Sequence, residues 1–336
     1  MLLSIVTTLY RSAPHLNEFH RRMTAAAARF GDDYELIYVN DGSPDESLSL
    51  AVSLCEADSR VKVIDLSRNF GHHKAILTGL AAARGDSVFL IDCDLEEDPD
   101  LLSQFEAAAC ESEADVVYGV QLVRKGGWFE RFSGALFYRL FNLLSTHKIP
   151  QNLLTVRWMS RRYVRSLLLH REREFVLSGL LAATGFRQVP LPVVKTSRGA
   201  TTYTLARKVS SFVDAITSFS SRPLVFIFYL GVAIVSVATV AAARLIVRRL
   251  VYGELLEGWA SLIVSIWLLG GLTIFCLGLI GIYLSKVYLE AKQRPITIVR
   301  RVYRHGGKHD AALDAEVRER LLVPDGSSAW SDDFGL

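Results

Sequence analysis

Val88-Phe89-Leu90-Ile91-Asp92-Cys93-Asp94-Leu95 is an apolar run that ends in two carboxylates. Val88 to Ile91 show no alternation of polar and apolar residues, which fits a strand buried on both faces, as in a parallel sheet covered by helices. Two aspartates two positions apart at a strand end can both turn toward one hard cation. Mg2+ and Mn2+ favour oxygen ligands and bridge protein carboxylates to a diphosphate. An Asp-x-Asp on its own is a weak signal, because surface loops produce it often. Placed after a buried strand, it gains weight.

The segments around this run repeat the pattern. Leu3–Leu9, Leu36–Asn40, Val61–Leu66 and Val88–Asp92 are rich in Val, Ile and Leu, and helix-like stretches lie at His15–Phe30, Asp45–Ala57, His73–Arg84 and Asp98–Ser112. Strands alternating with helices of this length predict βαβ units, hence an α/β fold: a Rossmann-like, mostly parallel sheet with helices on both faces. In such sheets ligands bind beyond the carboxyl ends of the strands. The first strand runs into Thr7, Thr8 and Tyr10, and the second into Asn40-Asp41-Gly42-Ser43-Pro44-Asp45. Gly42 permits a tight turn. Asp45 and Asp98 are placed to cap the helices that follow them, and His72 and His73 form a polar helix start beside the strand ends. The chain has neither the glycine fingerprint of dinucleotide-binding folds nor a P-loop, which argues against NAD enzymes and P-loop ATPases.

Composition narrows the class further. The chain has 336 residues, a net charge of +3 and a hydrophobic share of 50%. Its mean hydropathy of +0.25 is high for a soluble protein, and its pI near 8.6 gives no nucleic-acid footprint. Cys55, Cys93, Cys110 and Cys276 are widely spaced with no C-x-x-C pair, so they read as reduced, buried residues rather than a zinc site or disulfide framework. Leu2 to Leu9 has no basic region before it and is too short for a signal peptide, so a cytosolic start is expected.

Beyond Pro223 the composition changes. Leu224–Ala243 and Ala260–Ser285 carry no charge, and each exceeds the roughly 18 apolar residues that mark a spanning helix. Arg207, Lys208 and Arg222 precede the first run, and Lys286, Lys292, Arg294, Arg300 and Arg301 follow the second. These basic flanks predict that both outer ends are cytoplasmic, and they outnumber Arg244, Arg248 and Arg249 in the connection. Leu205, Val209, Phe212, Val213, Ile216 and Phe219 have helical spacing, which suits a helix lying in the membrane interface. The expected organisation is therefore a catalytic domain over 1–204, a juxtamembrane amphipathic helix over 205–222 and two transmembrane helices over 223–286. A cytoplasmic tail over 287–336 follows, partly disordered from its polar composition. Gly270 and Gly278 lie on one face of the second span and would allow close packing in a homo-oligomer.

Taken in order, Asp41-Gly42-Ser43-x-Asp45, Ser67-Arg68-Asn69-Phe70-Gly71, Asp92-x-Asp94-Leu95 and Asp98-Pro99 resemble glycosyltransferase family 2. The resemblance is to its dolichol-phosphate mannose synthase and bacterial polyprenyl-phosphate glycosyltransferase branch. It continues through Arg157-Trp158-Met159-Ser160-Arg161-Arg162, Thr184-Gly185-Phe186 and Ser218-Phe219-Ser220-x-x-Pro223-Leu224, covering about the first 225 residues. It implies a GT-A-type fold and an inverting, metal-dependent sugar transfer from a UDP- or GDP-linked donor to polyprenyl phosphate at a bilayer. By motif match, Thr8, Tyr10, Asp41, Arg68, Asn69 and Asp92 would line the nucleotide-sugar pocket, and Asp94 would hold Mg2+ or Mn2+. Asp92, Asp94 and Arg157 would form the catalytic set. Arg157, Arg198, Arg207 and Lys208, with Lys195 nearby, would meet the lipid phosphate, for which guanidinium groups offer paired donors.

Two positions depart from the family pattern. Thr8-Leu9-Tyr10-Arg11-Ser12 stands where Pro-x-Tyr-Asn-Glu is usual, and Thr155-Val156-Arg157 lacks the acid that often precedes the acceptor arginine. Alternative readings are a membrane glycosyltransferase that extends a polysaccharide or glycolipid hydroxyl, and a non-catalytic membrane scaffold of the same fold. The intact Asp92-x-Asp94 argues against the scaffold. The missing base at Thr155 argues against the hydroxyl acceptor.

Overall fold

The computed structural model describes residues 2–31, 33–121, 153–170, 172–173, 175, 177–194, 222–252, 258–305 and 317. The expected interfacial helix over 205–222 lies outside them except for Arg222, as do Lys195, Arg198, Arg207 and Lys208. The chain forms two compact units, one carrying the strands and the other the two long helices.

The strand-bearing unit is built from β1 (Leu3–Leu9), α1 (Ala13–Ala27), β2 (Tyr34–Asn40), α2 (Ser47–Ala57), β3 (Val61–Leu66), α3 (His72–Ala82), β4 (Ser87–Leu90) and α4 (Leu101–Ser112). It continues with β5 (Val116–Gln121), β6 (Leu153–Ser160), α5 (Arg161–Leu168), α6 (Leu177–Ala183), β7 (Gln188–Val193) and β8 (Val299–Tyr303). The eight described strands form one sheet in the order β7-β5-β6-β4-β1-β2-β3-β8. β1 pairs parallel with β2 and β4, β2 with β3, and β5 with β7. β6 runs antiparallel to β4 and β5, and β8 antiparallel to β3. The expected mostly parallel sheet is therefore present, with two antiparallel strands that local sequence pattern does not announce.

Both faces of the sheet are covered, which is why β1 to β4 read as continuous apolar runs. Ile5, Leu36, Tyr38 and Phe89 meet Leu16, Phe19 and Met23 of α1, Cys55 of α2 and Phe105 of α4. On the other face Val6, Ile37, Val39 and Leu90 meet Ile76 and Leu80 of α3, Tyr163 and Leu167 of α5 and Leu180 of α6. The approach of α3 is close: a Cβ at Gly79 would come within 2.4 Å of Val6 Cγ1.

The sheet order sets where a ligand can sit. The chain runs outward from β1 through β2 to β3, then returns to place β4 on the other side of β1. Strand order reverses there, and in open sheets of this kind ligands bind beyond the carboxyl ends of the strands at such a point, here β1 and β4.

The second unit contains α7 (Arg222–Tyr252) and α8 (Trp259–Ala291). Both are long and apolar enough to cross a membrane, with mean hydropathies of 2.5 and 2.1 over their candidate spans, and none of either span is buried. Unburied faces carrying Phe226, Val237, Trp267 and Ile274 separate these helices from the core helices of a soluble protein. A Cβ at Gly270 or Gly278 would meet nothing within 4 Å.

One domain boundary is corrected. The sheet domain does not end at residue 204, because after α8 the chain adds β8 to the free edge of β3. Ile296, Thr297, Val299 and Val302 are buried there. The sequence signal for a strand in this stretch is a short Ile-Thr-Ile-Val run crowded by Arg and Pro, too weak to compete with the surrounding charge.

Candidate active site

β4 ends at Leu90, and Ile91 still donates its N–H to Val6 O at 3.1 Å, so Asp92 leaves the sheet beside the end of β1. Thr8 and Asp92 both reach His72, the first residue of α3. Thr8 Oγ1 and His72 Nδ1 lie 3.0 Å apart in a hydrogen bond, and His72 Nε2 is 3.5 Å from Asp92 Oδ1. The imidazole thus bridges the two strand ends at the switch point. His72, expected only as a polar helix start, lies in contact with two of the expected site residues.

The loop after Asp92 is shaped for its second carboxylate. Asp94 Oδ1 accepts the N–H of Glu96 at 2.9 Å across Leu95, whose φ of 59° is left-handed. A non-glycine residue held in that region marks a backbone fixed by its surroundings. Cys93, between the two aspartates, is buried, and burial together with Asp94 and Asp92 pushes its thiol pKa up, so it stays protonated.

Asp41 stands at the end of β2, against the loop after β3. It is 2% exposed, with Oδ1 accepting from Phe70 N at 2.7 Å and Oδ2 from Gly71 N at 3.0 Å. Its carboxylate ties the end of β2 to the loop after β3. Gly42 completes the join. Its φ is +59°, and a Cβ there would lie 2.4 Å from Asn69 N. The two loops are in contact through bare backbone, leaving Arg68 and Asn69 exposed above them. Arg68 covers the Phe70 ring at 4.0 Å and donates to Asn69 O at 2.9 Å.

Asp45 is a hub rather than a simple cap. It accepts from Ala13 N at 3.2 Å, Ser47 N at 3.2 Å and the hydroxyls of Ser43 and Ser47. These hydrogen bonds outweigh desolvation and hold its pKa at about 2. Arg11, at φ 55°, donates its N–H to Ser43 Oγ at 2.7 Å, so the same cluster fixes the loop that presents Tyr10, 47% exposed. Asp98 bonds Asp100 N and Arg22 instead of a helix start.

Arg157 lies on β6, directly across from Leu90 of β4 and Tyr118 of β5. It is 4% exposed. Its Nη2 makes one long contact, 3.4 Å to Leu154 O, and its Nε has no acceptor. Among the described residues no carboxylate pairs with it, and burial pushes the guanidinium pKa down to about 10. Nearby, desolvation in the cleft, with the charges of His72 and Arg157 adding to it, lowers His73 to about 4. Thr155 stands two residues away on the same strand.

The glycosyl transferase family 2 model matches residues 4–168, the stretch that supplies every side chain described above. A Mycobacterium tuberculosis protein whose name places it among glycosyltransferases is 56% identical over 90% of this chain and 89% of its own. The chain belongs to glycosyltransferase family 2. It is also similar to the uncharacterized glycosyltransferase YkcC of Bacillus subtilis, 34% identical over 89% of this chain and 94% of that one. The prophage bactoprenol glucosyl transferase homolog of Escherichia coli is 31% identical over 90% of this chain and 99% of its own. As a glycosyltransferase with the expected GT-A-type sheet, this chain brings Thr8, Tyr10, Arg68, Asn69, Asp92 and Asp94 to one end of that sheet, while Asp41 braces the loop beneath Arg68 and Asn69.

Proposed function

We propose that this glycosyltransferase moves a sugar from a UDP- or GDP-linked donor to polyprenyl phosphate at the cytoplasmic face of a membrane. Arg157 carries the reading. Among the described residues this buried guanidinium has no counter-ion, an arrangement that is costly and that an anionic ligand would relieve. Its strand neighbours β4, and Asp92 follows just after β4 ends, so an anion held by Arg157 would lie close to the reacting groups. The relative named as a bactoprenol glucosyl transferase homolog supports a polyprenyl phosphate in that role.

The donor's nucleotide would lie over the loops joined by Asp41 and Gly42, with Tyr10, Arg68 and Asn69 exposed to contact it. Asp92, steadied through His72 by Thr8, faces the ribose and diphosphate. Among the described residues no cluster of three His, Cys, Asp or Glu side chains holds a metal by itself. Asp94 with Asp92 offers two hard carboxylates, which fits Mg2+ or Mn2+ when a diphosphate completes the oxygen shell. Asp94 and Asp92 would hold such an ion, which would supply charge neutralisation to the leaving nucleoside diphosphate. Arg157 orients the acceptor phosphate, one of whose oxygens attacks the anomeric carbon. The bond to the diphosphate breaks on the opposite side, so configuration inverts. No base is needed, since a phosphate monoester is already anionic, with a second ionisation near pH ~6.

Two features support membrane anchoring by α7 and α8. Their apolar faces are unburied, and the chain returns after α8 to the same sheet it left before α7. Two spans of one hairpin meet that requirement, and the basic residues at their outer ends favour the cytoplasmic side for the sheet and both termini.

The test is to incubate membranes containing the protein with a panel of labelled nucleotide sugars and extract the lipid. Label is expected in the organic phase as an acid-labile sugar–phosphate–lipid. Transfer only to a free hydroxyl, with none to polyprenyl phosphate, would overturn the proposal.

A further inference from the structure

The segment that follows α8 reaches the donor loops from the far edge of the sheet. Lys292–Pro295 lead directly from α8 into it, and Arg173 Nε donates to Arg294 O at 2.7 Å where it enters. Thr297 is buried and hydrogen-bonded to Thr78 of α3, hydroxyl to hydroxyl, at 2.8 Å. Ser67 donates its N–H to Ile298 O at 2.9 Å. The segment therefore holds both the loop that begins at Ser67 and the helix that begins at His72.

Arg300 occupies a special position in it. Asp65 pairs with Arg301 and Leu66 with Val299, so the register of β8 skips Arg300. An unpaired residue at such a bulge has its side chain re-aimed. The Arg300 guanidinium turns to the end of β3, with Nη2 donating to Ser67 O at 2.6 Å and Nη1 3.5 Å from Asp65 Oδ2. Asp65 is 1% exposed, and its other oxygen accepts from Asn40 Nδ2 at 2.8 Å. Asn40 Oδ1 in turn accepts Ser43 N at 3.3 Å. One side chain beyond the second long helix thus links to both loops that carry the proposed nucleotide pocket.

We propose that Arg300 is a positioning residue for donor binding: as part of the β8 strap, it holds the Ser67–Gly71 loop in the shape that presents Arg68 and Asn69. This rests on the reading that these loops bind the donor nucleotide. Arg300 touches no reacting group in this scheme. It is half-exposed, so its removal leaves the sheet core intact. The fork is the relevant feature, because a guanidinium spans a carboxylate and a carbonyl together, whereas an ammonium is a single point charge.

The test uses the full-length protein in lipid nanodiscs, comparing wild type with Arg300→Ala and Arg300→Lys. Backbone amide hydrogen exchange is read at residues 67–71, and UDP and GDP affinities by calorimetry. Arg300→Ala is expected to speed exchange across this loop about tenfold or more, beyond any change in the rest of the sheet, and weaken the nucleotide that wild type binds by about tenfold. Arg300→Lys is expected to fall between the two. Unchanged exchange in Arg300→Ala overturns the strap, and faster exchange with unchanged affinity overturns its role in donor binding. Wild type that binds neither nucleotide overturns the donor reading and with it the donor-positioning role, even where exchange confirms that Arg300 holds the loop.

Discussion

Leu90 and Arg157 face each other across the antiparallel register of β4 and β6. A guanidinium therefore stands on the strand next to the one that leads into the site's carboxylates. Its charge is buried among Tyr118, Tyr163 and apolar neighbours, without a compensating acid among the described residues. Sites that bind anions are commonly stabilised for the ligand at the expense of the free protein.

That trade gives the first prediction. Arg157→Met should raise the melting temperature of the ligand-free protein by a few degrees, corresponding to about 1–3 kcal/mol, because a buried charge with no acid partner among the described residues is replaced by a flexible apolar side chain. Turnover with polyprenyl phosphate should fall about a hundredfold or more. Differential scanning fluorimetry and the lipid-transfer assay check the two halves. A less stable variant with full activity would remove Arg157 from the site.

Asp94→Asn should abolish transfer while leaving the melting temperature within a degree or two, since the Asn side chain still accepts from Glu96 N. EDTA should stop the wild type, and Mg2+ or Mn2+ should restore it. Full activity in excess chelator is the result that excludes the metal.

Gly42→Ala should cost at least about 2 kcal/mol, because the left-handed φ and the backbone at 2.4 Å both oppose a Cβ. Nucleotide affinity should fall with it, since the loop carrying Asn69 must move away. Gly270→Ala serves as the control: its surroundings are open, so thermal unfolding should be unaffected. Equal stability for the two variants would contradict the packing of the loops.

The pH dependence of Asp45 has a fixed sign. Its folded pKa of about 2 lies below the ordinary carboxyl value of 3.8. Its contribution is fully present above the unfolded pKa and disappears as pH falls through the folded one. At pH 7, Asp45→Asn should be less stable than wild type by about 1–3 kcal/mol. Acid titration of the unfolding free energy should show that gap closing between roughly pH 4 and 2. A gap that stays constant over this window would show that Asp45 is not ionised in its hydrogen-bonded hub.

Thr155 separates the two acceptor chemistries. A sugar hydroxyl needs a positioned base, and a phosphate monoester does not. Thr155→Asp should therefore bring no gain with polyprenyl phosphate, and Glu172→Gln should keep most activity. Glu174, the other nearby acid in sequence, lies outside the described residues. Loss of activity in Glu172→Gln, with transfer to a hydroxyl, would favour the polysaccharide- or glycolipid-extending alternative.

The apolar runs that form β1 and β3 begin and end in the structure where they do in the sequence, at Leu3–Leu9 and Val61–Leu66. Burial on both faces demands unbroken hydrophobicity, and that demand is written locally. The same holds for the two long helices, whose length and lack of charge need no partner to be read. They extend a turn or more beyond the uncharged runs, to Tyr252 and Ala291, because charged residues continue a helix past its apolar core. The Asp92-x-Asp94 pair was legible for the same reason: strand, turn and carboxylates are contiguous.

Other features depended on pairs far apart in the chain. That Asp41 turns inward follows from Phe70 and Gly71 lying against it, and the bridging place of His72 follows from strand order around β1 and β4. That Arg157 is buried without an acid among the described residues follows from β6 entering the sheet beside β4. β8 exists because β3 offers an edge, and its register makes Arg300 the residue left over. Sequence patterns record the environment a residue requires of its neighbours in the chain. Contacts such as Ser67 with Arg300 or Leu90 with Arg157 are fixed only when the sheet closes, because the groups they satisfy are distant until then.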